Sequence, residues 1–317
     1  MSWFDQAGQG GDVVIGTELT LTRNIEGFPF ALGDPEKMTP EARAFLKSLS
    51  DTLSGGSLTA YEPGSIDPAA LSVLVRKRFA DPDECVGATL LLDEEHGVSV
   101  TLGGSDHVRI RVLLPGDALE EALEEAFRIE SKLDSAFRIA FSEKFGYLTS
   151  SPAFLGSAAE FSLILHLPAS GEVAPDGFVR LERLRGGLCI LSSEPFPGIT
   201  EEEQIERLRL AEERLANIER SARAALRSDA TRLCDRVMRA WGLLSNACLI
   251  GEDELYRLWS DLRLGAVIGL PGLPSPEELG SILMAALLCP PEKGDPEAAR
   301  AMLLKRRLSS CRNACRV

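Results

Sequence analysis

Residues 102–116 read LGGSDHVRIRVLLPG, and the alternation inside that stretch decides the fold. Val108, Ile110 and Val112 fall on one face of an extended chain and Arg109 and Arg111 on the other, because successive side chains of a strand point to opposite sides. The same period of two runs through Val98, Val100 and Leu102, and again through Phe161, Leu163, Leu165 and Leu167. Each run has one apolar and one mixed face. That pattern predicts an antiparallel sheet covered by helices on one side and open to a ligand on the other. Between the second and third runs, Leu119, Ala122, Leu123, Ala126, Ile129, Leu133 and Phe137 recur at helical spacing, and Asp117 is placed to cap the start.

From Thr200 the character changes. Thr200 and Glu203 form a capping box ahead of a long charged amphipathic helix that runs toward Ser228. The remainder reads as helical, broken at Gly251, at 269-GLPGLPSPEE and at 290-PPEKGDPE, where Pro and Gly forbid continuation. The expected organisation is an α+β domain over residues 1–225 followed by a small all-helical domain over residues 226–317.

The chain has 317 residues, 44% of them hydrophobic, and a formal charge of −14. It is long enough to bury a substantial core. The acid surplus argues against nucleic acid or an anionic membrane as partner, and a polyanionic ligand would need a locally basic site. No apolar run has the length of a membrane span, and the start, MSWFDQAGQGGD, has neither a basic n-region nor an apolar h-region, so a cytoplasmic location is expected. Seven scattered cysteines fit reduced thiols rather than a disulfide frame. Cys311 and Cys315 could supply half a metal site, but with three histidines in the chain no metal centre is expected.

P-loop, G-x-G-x-x-G, H-E-x-x-H and G-x-S-x-G motifs are all missing. Four stretches in order nevertheless resemble the ATP:guanido phosphotransferases, and most closely the bacterial protein-arginine kinases. They are 12-DVVIGTELTLTRNIEGFPF, 102-LGGSDHVRIRVLLPG, 146-GYLTSSPAFLGSAAEFSLILHLPA and 236-RVMRAWGLLSNACLIGEDELYRLWSDLRLGAVIGL. The last resembles the helical domain peculiar to the bacterial enzymes. The resemblance implies a guanido-kinase catalytic domain followed by that helical domain, a homodimer, and Mg-ATP as cofactor if activity is retained. Such enzymes clamp phosphates with several arginines and position the guanidinium with carboxylates.

The resemblance keeps the frame and loses the charges. The family pattern S-S-R-x-R-L-x-R-N places phosphate arginines where this chain has Glu18 and Thr20, leaving only Arg23. The pattern N-E-E-D-H-x-R corresponds to Gly103, Gly104, Ser105, Asp106, His107, Val108 and Arg109, so both glutamates are gone while the arginine survives. In the third motif Ser151 stands for a reactive-site cysteine, Phe154 for an asparagine and Glu160 for another phosphate arginine. His166 matches a histidine that the family places beside the adenine, so Arg109 and His166 are the remnant of a nucleotide site. A glycine-rich loop with one more phosphate arginine is mostly deleted, and 184-LRGGLCILSS matches either the segment before it or the strand after it. In the helical domain the phosphoarginine pocket R-D-x-x-R-A corresponds to 296-PEAARA, leaving Glu297 and Arg300, or Asp295 in a neighbouring register.

Removing one preorganised donor from such a site typically costs on the order of 10²–10³ in rate, and an Arg→Glu reversal also sets a negative charge against a triphosphate. A bound metal, Arg111 or Arg180 could compensate, but the sequence does not point to it. Arg109 could equally pair with Asp106, His166 could be a satisfied sheet-face histidine, and the charges of 124-EEAFRIESK read as a solvated helix face. The expectation is therefore a pseudokinase kept as a scaffold or regulator of protein quality control, working with an active arginine kinase or with Clp protease components. The alternatives are a working phosphotransferase with a remodelled site and a module that binds phosphoarginine proteins.

Overall fold

The computed structural model describes residues 8, 10–32, 38–62, 64–85, 87–175, 179–289 and 294–311. Ten strands and eight α-helices follow one another as β1 (Val14–Arg23), α1 (Pro40–Leu53), β2 (Thr59–Tyr61), α2 (Pro68–Arg76), β3 (Thr89–Asp93), β4 (Val98–Leu102), β5 (Val108–Pro115), α3 (Leu119–Asp134), β6 (Phe141–Ser142), β7 (Gly146–Tyr147), β8 (Ala159–His166), β9 (Val179–Arg183), β10 (Leu188–Ser193), α4 (Glu201–Arg227), α5 (Ala230–Asn246), α6 (Glu252–Ile268), α7 (Pro276–Leu287) and α8 (Pro296–Cys311). Eight strands form one antiparallel sheet in the order β2-β3-β4-β5-β1-β8-β10-β9, and β6 and β7 make a separate small pair.

The alternation read in the sequence sets which face each side chain takes. Leu19 and Leu21 of β1, Ile110 and Val112 of β5, and Phe161, Leu163 and Leu165 of β8 are buried beneath α1, α3 and α4 in the main core. Glu18, Thr20, Thr22, Arg109, Arg111, Glu160 and Ser162 take the other parity and line the opposite face. Registers fix their order: Thr22 lies opposite Arg109, and Thr20 lies between Arg111 of β5 and Glu160 of β8. A second core is built by α5 to α8 with Leu188, centred on Trp241, Leu258, Trp259 and Leu262.

Helix boundaries follow their capping chemistry. The Thr200 hydroxyl accepts from the Glu203 amide at 3.2 Å and the Glu203 carboxylate accepts from the Thr200 amide at 3.2 Å, with Glu201, Glu202 and Glu203 favourably placed at the positive end of the helix dipole. α6 starts after Gly251 and stops at Gly269, whose φ of 89° ends it in the left-handed region. Of the break at 290-PPEKGDPE, residues 290–293 lie outside the described residues, and α8 starts at Pro296. Asp117 does not take the cap position of α3, which Ala118 occupies; its carboxylate faces Arg209 at 3.6 Å instead.

β10 pairs with both β8 and β9, and the chain passes from it directly into α4. Leu188–Ser193 is thus an inner strand of the sheet, and 184–187 is the turn that joins it to β9. Gly186, at φ 62°, has no room for a side chain, since a Cβ there would stand 2.4 Å from the Tyr256 carbonyl oxygen of α6. Among the described residues no helix is long and apolar enough to cross a membrane.

Candidate functional site

On the face of the sheet away from α1, α3 and α4 lies a polar cleft of about 300 Å³. Its floor is the outward parity of β1, β5, β8, β9 and β10, and its wall is the segment between α2 and β3. Four arginines line it, Arg78, Arg109, Arg111 and Arg180, together with four carboxylates, Glu18, Asp81, Glu160 and Glu182. The two non-glycine residues with positive φ among the described residues, Arg78 at 68° and Ala158 at 50°, both border this cleft. A left-handed conformation costs an ordinary residue roughly 1–2 kcal/mol, and such strain concentrates at ligand sites.

Every cleft arginine already meets a carboxylate. Arg78 Nε donates to Glu18 Oε2 at 2.6 Å, and Arg111 Nε approaches Glu18 Oε1 at 3.3 Å. Arg111 also donates through Nη1 to the Arg78 carbonyl at 3.0 Å, which fixes the strained turn over the cleft. Arg109 pairs with Glu84 at 3.3 Å and Arg180 with Glu194 at 3.7 Å. The carboxylate that Arg109 meets is thus Glu84 and not Asp106, the candidate the sequence offered. Asp106 instead accepts from Asn24 Nδ2 at 2.6 Å and from the Ser150 amide at 2.7 Å, tying three loops together.

Glu84 occupies a telling position. Its Oε2 lies 2.3 Å from where a Cβ on Gly104 would stand, and the carboxylate accepts from the Ser105 amide at 3.0 Å and from the Ser105 hydroxyl at 2.8 Å. A carboxylate from a different segment thus stands against residues 104 and 105. Glu160, half-buried beside β1, has its carboxyl raised above the usual range, first by loss of solvation and then by Glu18, with Arg180 and Arg109 pulling the other way. A triphosphate does not fit this donor set: its phosphates would have to displace Glu18 from two arginines and lie against Glu160.

Comparison with known proteins places this geometry in a family. Residues 39–172 match the family model of the ATP:guanido phosphotransferase C-terminal catalytic domain. A protein-arginine kinase of Moorella thermoacetica is 31% identical over 292 residues, covering 83% of this chain and 82% of its own. The chain belongs to the protein-arginine kinase family. The protein-arginine kinase of Desulforamulus reducens is 30% identical over an alignment of 347 residues that spans 98% of this chain and 96% of that one. Among solved structures, lombricine kinase shares the fold with a TM-score of 0.58 at 15% identity, over 70% of this chain and 71% of its own. The substrate-free duplicated taurocyamine kinase of Schistosoma mansoni does so with a TM-score of 0.56 at 19% identity, over 69% of this chain and only 35% of that longer one.

The residues that match the motifs of the protein-arginine kinase family do not converge on one site. Glu18, Thr20, Glu160 and Arg109 line the cleft, and Ser105 sits at its edge through Glu84. Arg23 has the parity of Leu19 and Leu21 and points into the opposite core, where it is fully buried against Glu130 of α3. Ser151 precedes the short turn Pro152–Phe154, and among the described residues no base is hydrogen-bonded to its hydroxyl.

His166 is fully buried under the helical domain. Its Nδ1 accepts from Arg263 Nη1 at 2.9 Å, since an arginine can only donate, and Nε2–H therefore donates to the Ser260 hydroxyl at 2.8 Å. Arg300 is 7% exposed, donates to the Ile250 carbonyl at 2.7 Å and meets Glu252 at 3.6 Å, while Glu297 stays exposed one turn away on α8. Glu252 also receives Arg76 at 2.7 Å and Arg185 at 3.5 Å, so Arg185 of the hairpin turn serves the packing of α6.

The sequence reading missed Arg78, Asp81 and Glu84. The signal lay in the charged run 76-RKRFADPDE, whose role depends on a long-range approach to β1 and β5 that no local pattern reveals. Among the described residues no cluster suited to a metal ion is present, and Cys85, Cys189, Cys234 and Cys248 are free thiols; Cys315 and the Cys311 side chain lie outside the described residues.

Burial, then the neighbouring cations Arg263 and Arg223, hold the His166 imidazole well below its usual range. The unfolded chain takes up a proton near pH 6.5 that the native state refuses until lower pH. This contribution to stability is complete above the unfolded pKa and is lost as pH falls below it. Replacing His166 with glutamine is expected to flatten the fall in unfolding free energy between about pH 6.5 and pH 5 by up to about 1.4 kcal/mol per pH unit, read from urea midpoints. His107, lowered mainly by burial, sustains the remaining slope.

Proposed function

We propose that this member of the protein-arginine kinase family is a pseudokinase, retained in the cytoplasm as a homodimeric scaffold or regulator of protein quality control. Its partners are proteins, either an active arginine kinase or Clp protease components. The observation that carries this reading is Glu18, whose carboxylate engages Arg78 and Arg111 at 2.6 and 3.3 Å at a phosphate-arginine position of the family. Phosphoryl transfer relies on preorganised donors that are uncommitted until the phosphates arrive. Here the arginines are already neutralised, and Glu160 adds an anion where the family pattern has a cation.

Purified protein incubated with Mg-ATP and an arginine-rich protein is expected to yield no phosphoarginine above an enzyme-free blank, with a protein-arginine kinase relative as positive control. Phosphoarginine formation at rates near those of the relative overturns the proposal.

One observation favours the second reading, a working phosphotransferase with a remodelled site. Glu84 sets a carboxylate against residues 104 and 105, the positions at which the family pattern has its glutamates, and Arg78 brings a cation from outside the family motifs. Under that reading an ATP-dependent activity exists, and Arg109→Ala abolishes it. The phosphoarginine-binding reading draws no comparable support, because Arg300 is buried and engaged with Ile250 and Glu252.

A further inference from the structure

On the helical side of the sheet, α3 rests over β1 and β5 while α4 rests over β8 and β10, and a furrow of about 500 Å³ runs between the two helices. Its floor is apolar: Leu123 and Phe127 from α3, Ile205 and Leu210 from α4. Leu210 is 62% exposed, an unusual position for leucine on a helix whose outer face is otherwise charged.

The rim is acidic on both sides. Glu120 and Glu124 stand one turn apart along α3, and Glu202, Glu206 and Glu213 follow the facing edge of α4. All five are exposed. Arg209 is the one basic residue lining the furrow, and it is engaged with Glu120 and with Asp117. A helix face that is merely solvated gains by alternating opposite charges at i and i+4, whereas like charges at that spacing cost a few tenths of a kcal/mol each. Here Glu120 with Glu124 and Glu202 with Glu206 repeat the like charge at that spacing along the two edges of an apolar floor, with Arg209 the cation between them.

We propose that this furrow is the docking surface for a basic amphipathic helix of a partner protein. Apolar side chains at i, i+3, i+4 and i+7 would cover Leu210 and Phe127, while Lys and Arg on the flanks would meet the glutamates of both rims. The acidic rim disfavours an anionic membrane or nucleic acid as occupant and speeds encounter with a basic partner. The furrow lies on the face of the sheet opposite the cleft, so the inference is independent of whether the cleft binds ATP.

The test is fluorescence anisotropy of a labelled helical peptide of about 16 residues, with leucines at those four spacings and Lys or Arg elsewhere. An isomer of identical composition with scrambled leucine positions is the control. Saturable binding is expected, weakened at least about tenfold by scrambling, by Leu210→Glu, and by Glu206→Lys combined with Glu213→Lys. The rim variant, altered only at exposed positions, guards against a misfolded Leu210→Glu protein. Equal binding of both peptides, or equal binding by wild type and both variants, overturns the proposal. So does sedimentation of the wild type as a dimer that either variant dissolves, because a second copy of the chain would then be the occupant.

Discussion

Replacing Arg23 with alanine is expected to lower the unfolding free energy by about 3–5 kcal/mol, although this residue matches an arginine of a phosphate-binding motif. Arg23 is fully buried and ion-paired with Glu130, and its Nη1 donates to the Thr22 carbonyl at 2.8 Å and the Ser157 carbonyl at 3.0 Å. Its guanidinium also stacks on the Tyr147 ring, 3.5 Å from the centroid. Truncation would leave the Glu130 carboxylate buried without its cation, two carbonyls without a donor, and a cavity between α3 and the sheet. Urea unfolding at constant m-value measures the loss. Removing Glu130 as well should cost less than the sum of the two single changes, because each single variant strands its partner. A loss below about 1 kcal/mol for Arg23→Ala would contradict this account of the arginine.

The second large effect is expected in the cleft. Glu18→Ala combined with Glu160→Ala should raise affinity for Mg-ATP or pyrophosphate at least about tenfold over the wild type, equivalent to about 1.4 kcal/mol. Removing Glu18 releases Arg78 and Arg111 from their shared carboxylate, and removing Glu160 takes away the anion that faces Arg109 across β1 and Arg180 across β10. The gain should shrink as salt is raised, since Arg78 remains partly open to solvent. Catalysis is not expected to return with affinity, because Glu84 holds Arg109 and Ser105 in their present geometry.

Much of the fold was legible because burial has a period. Val108, Ile110 and Val112 and their counterparts on β4 and β8 announced both the sheet and the face that carries Arg109 and Arg111. The same parity places Arg23 on the core side with Leu19 and Leu21, so its structural role was also open to inspection. β2 was not legible: all three residues of Thr59–Tyr61 are exposed, and the strand exists only by pairing with β3. The self-neutralised cleft was half legible. Glu18 and Glu160 stood out against the family motifs, but Arg78 and Glu84 reach the cleft from a loop, and such approaches leave no periodic trace. His166 shows the opposite limit. Its strand was clear, whereas its burial depends on Ser260 and Arg263 from α6, about a hundred residues away by a separation of 94 and 97.

The central claim is that the cleft arginines are already committed to the protein's own carboxylates. A calorimetric titration of the wild-type protein with Mg-ATP at physiological salt tests it most directly, with the Glu18→Ala, Glu160→Ala protein titrated alongside. The account predicts no saturable heat at micromolar nucleotide for the wild type and measurable binding for the variant. Micromolar affinity of the wild type, undiminished relative to the variant, would contradict it.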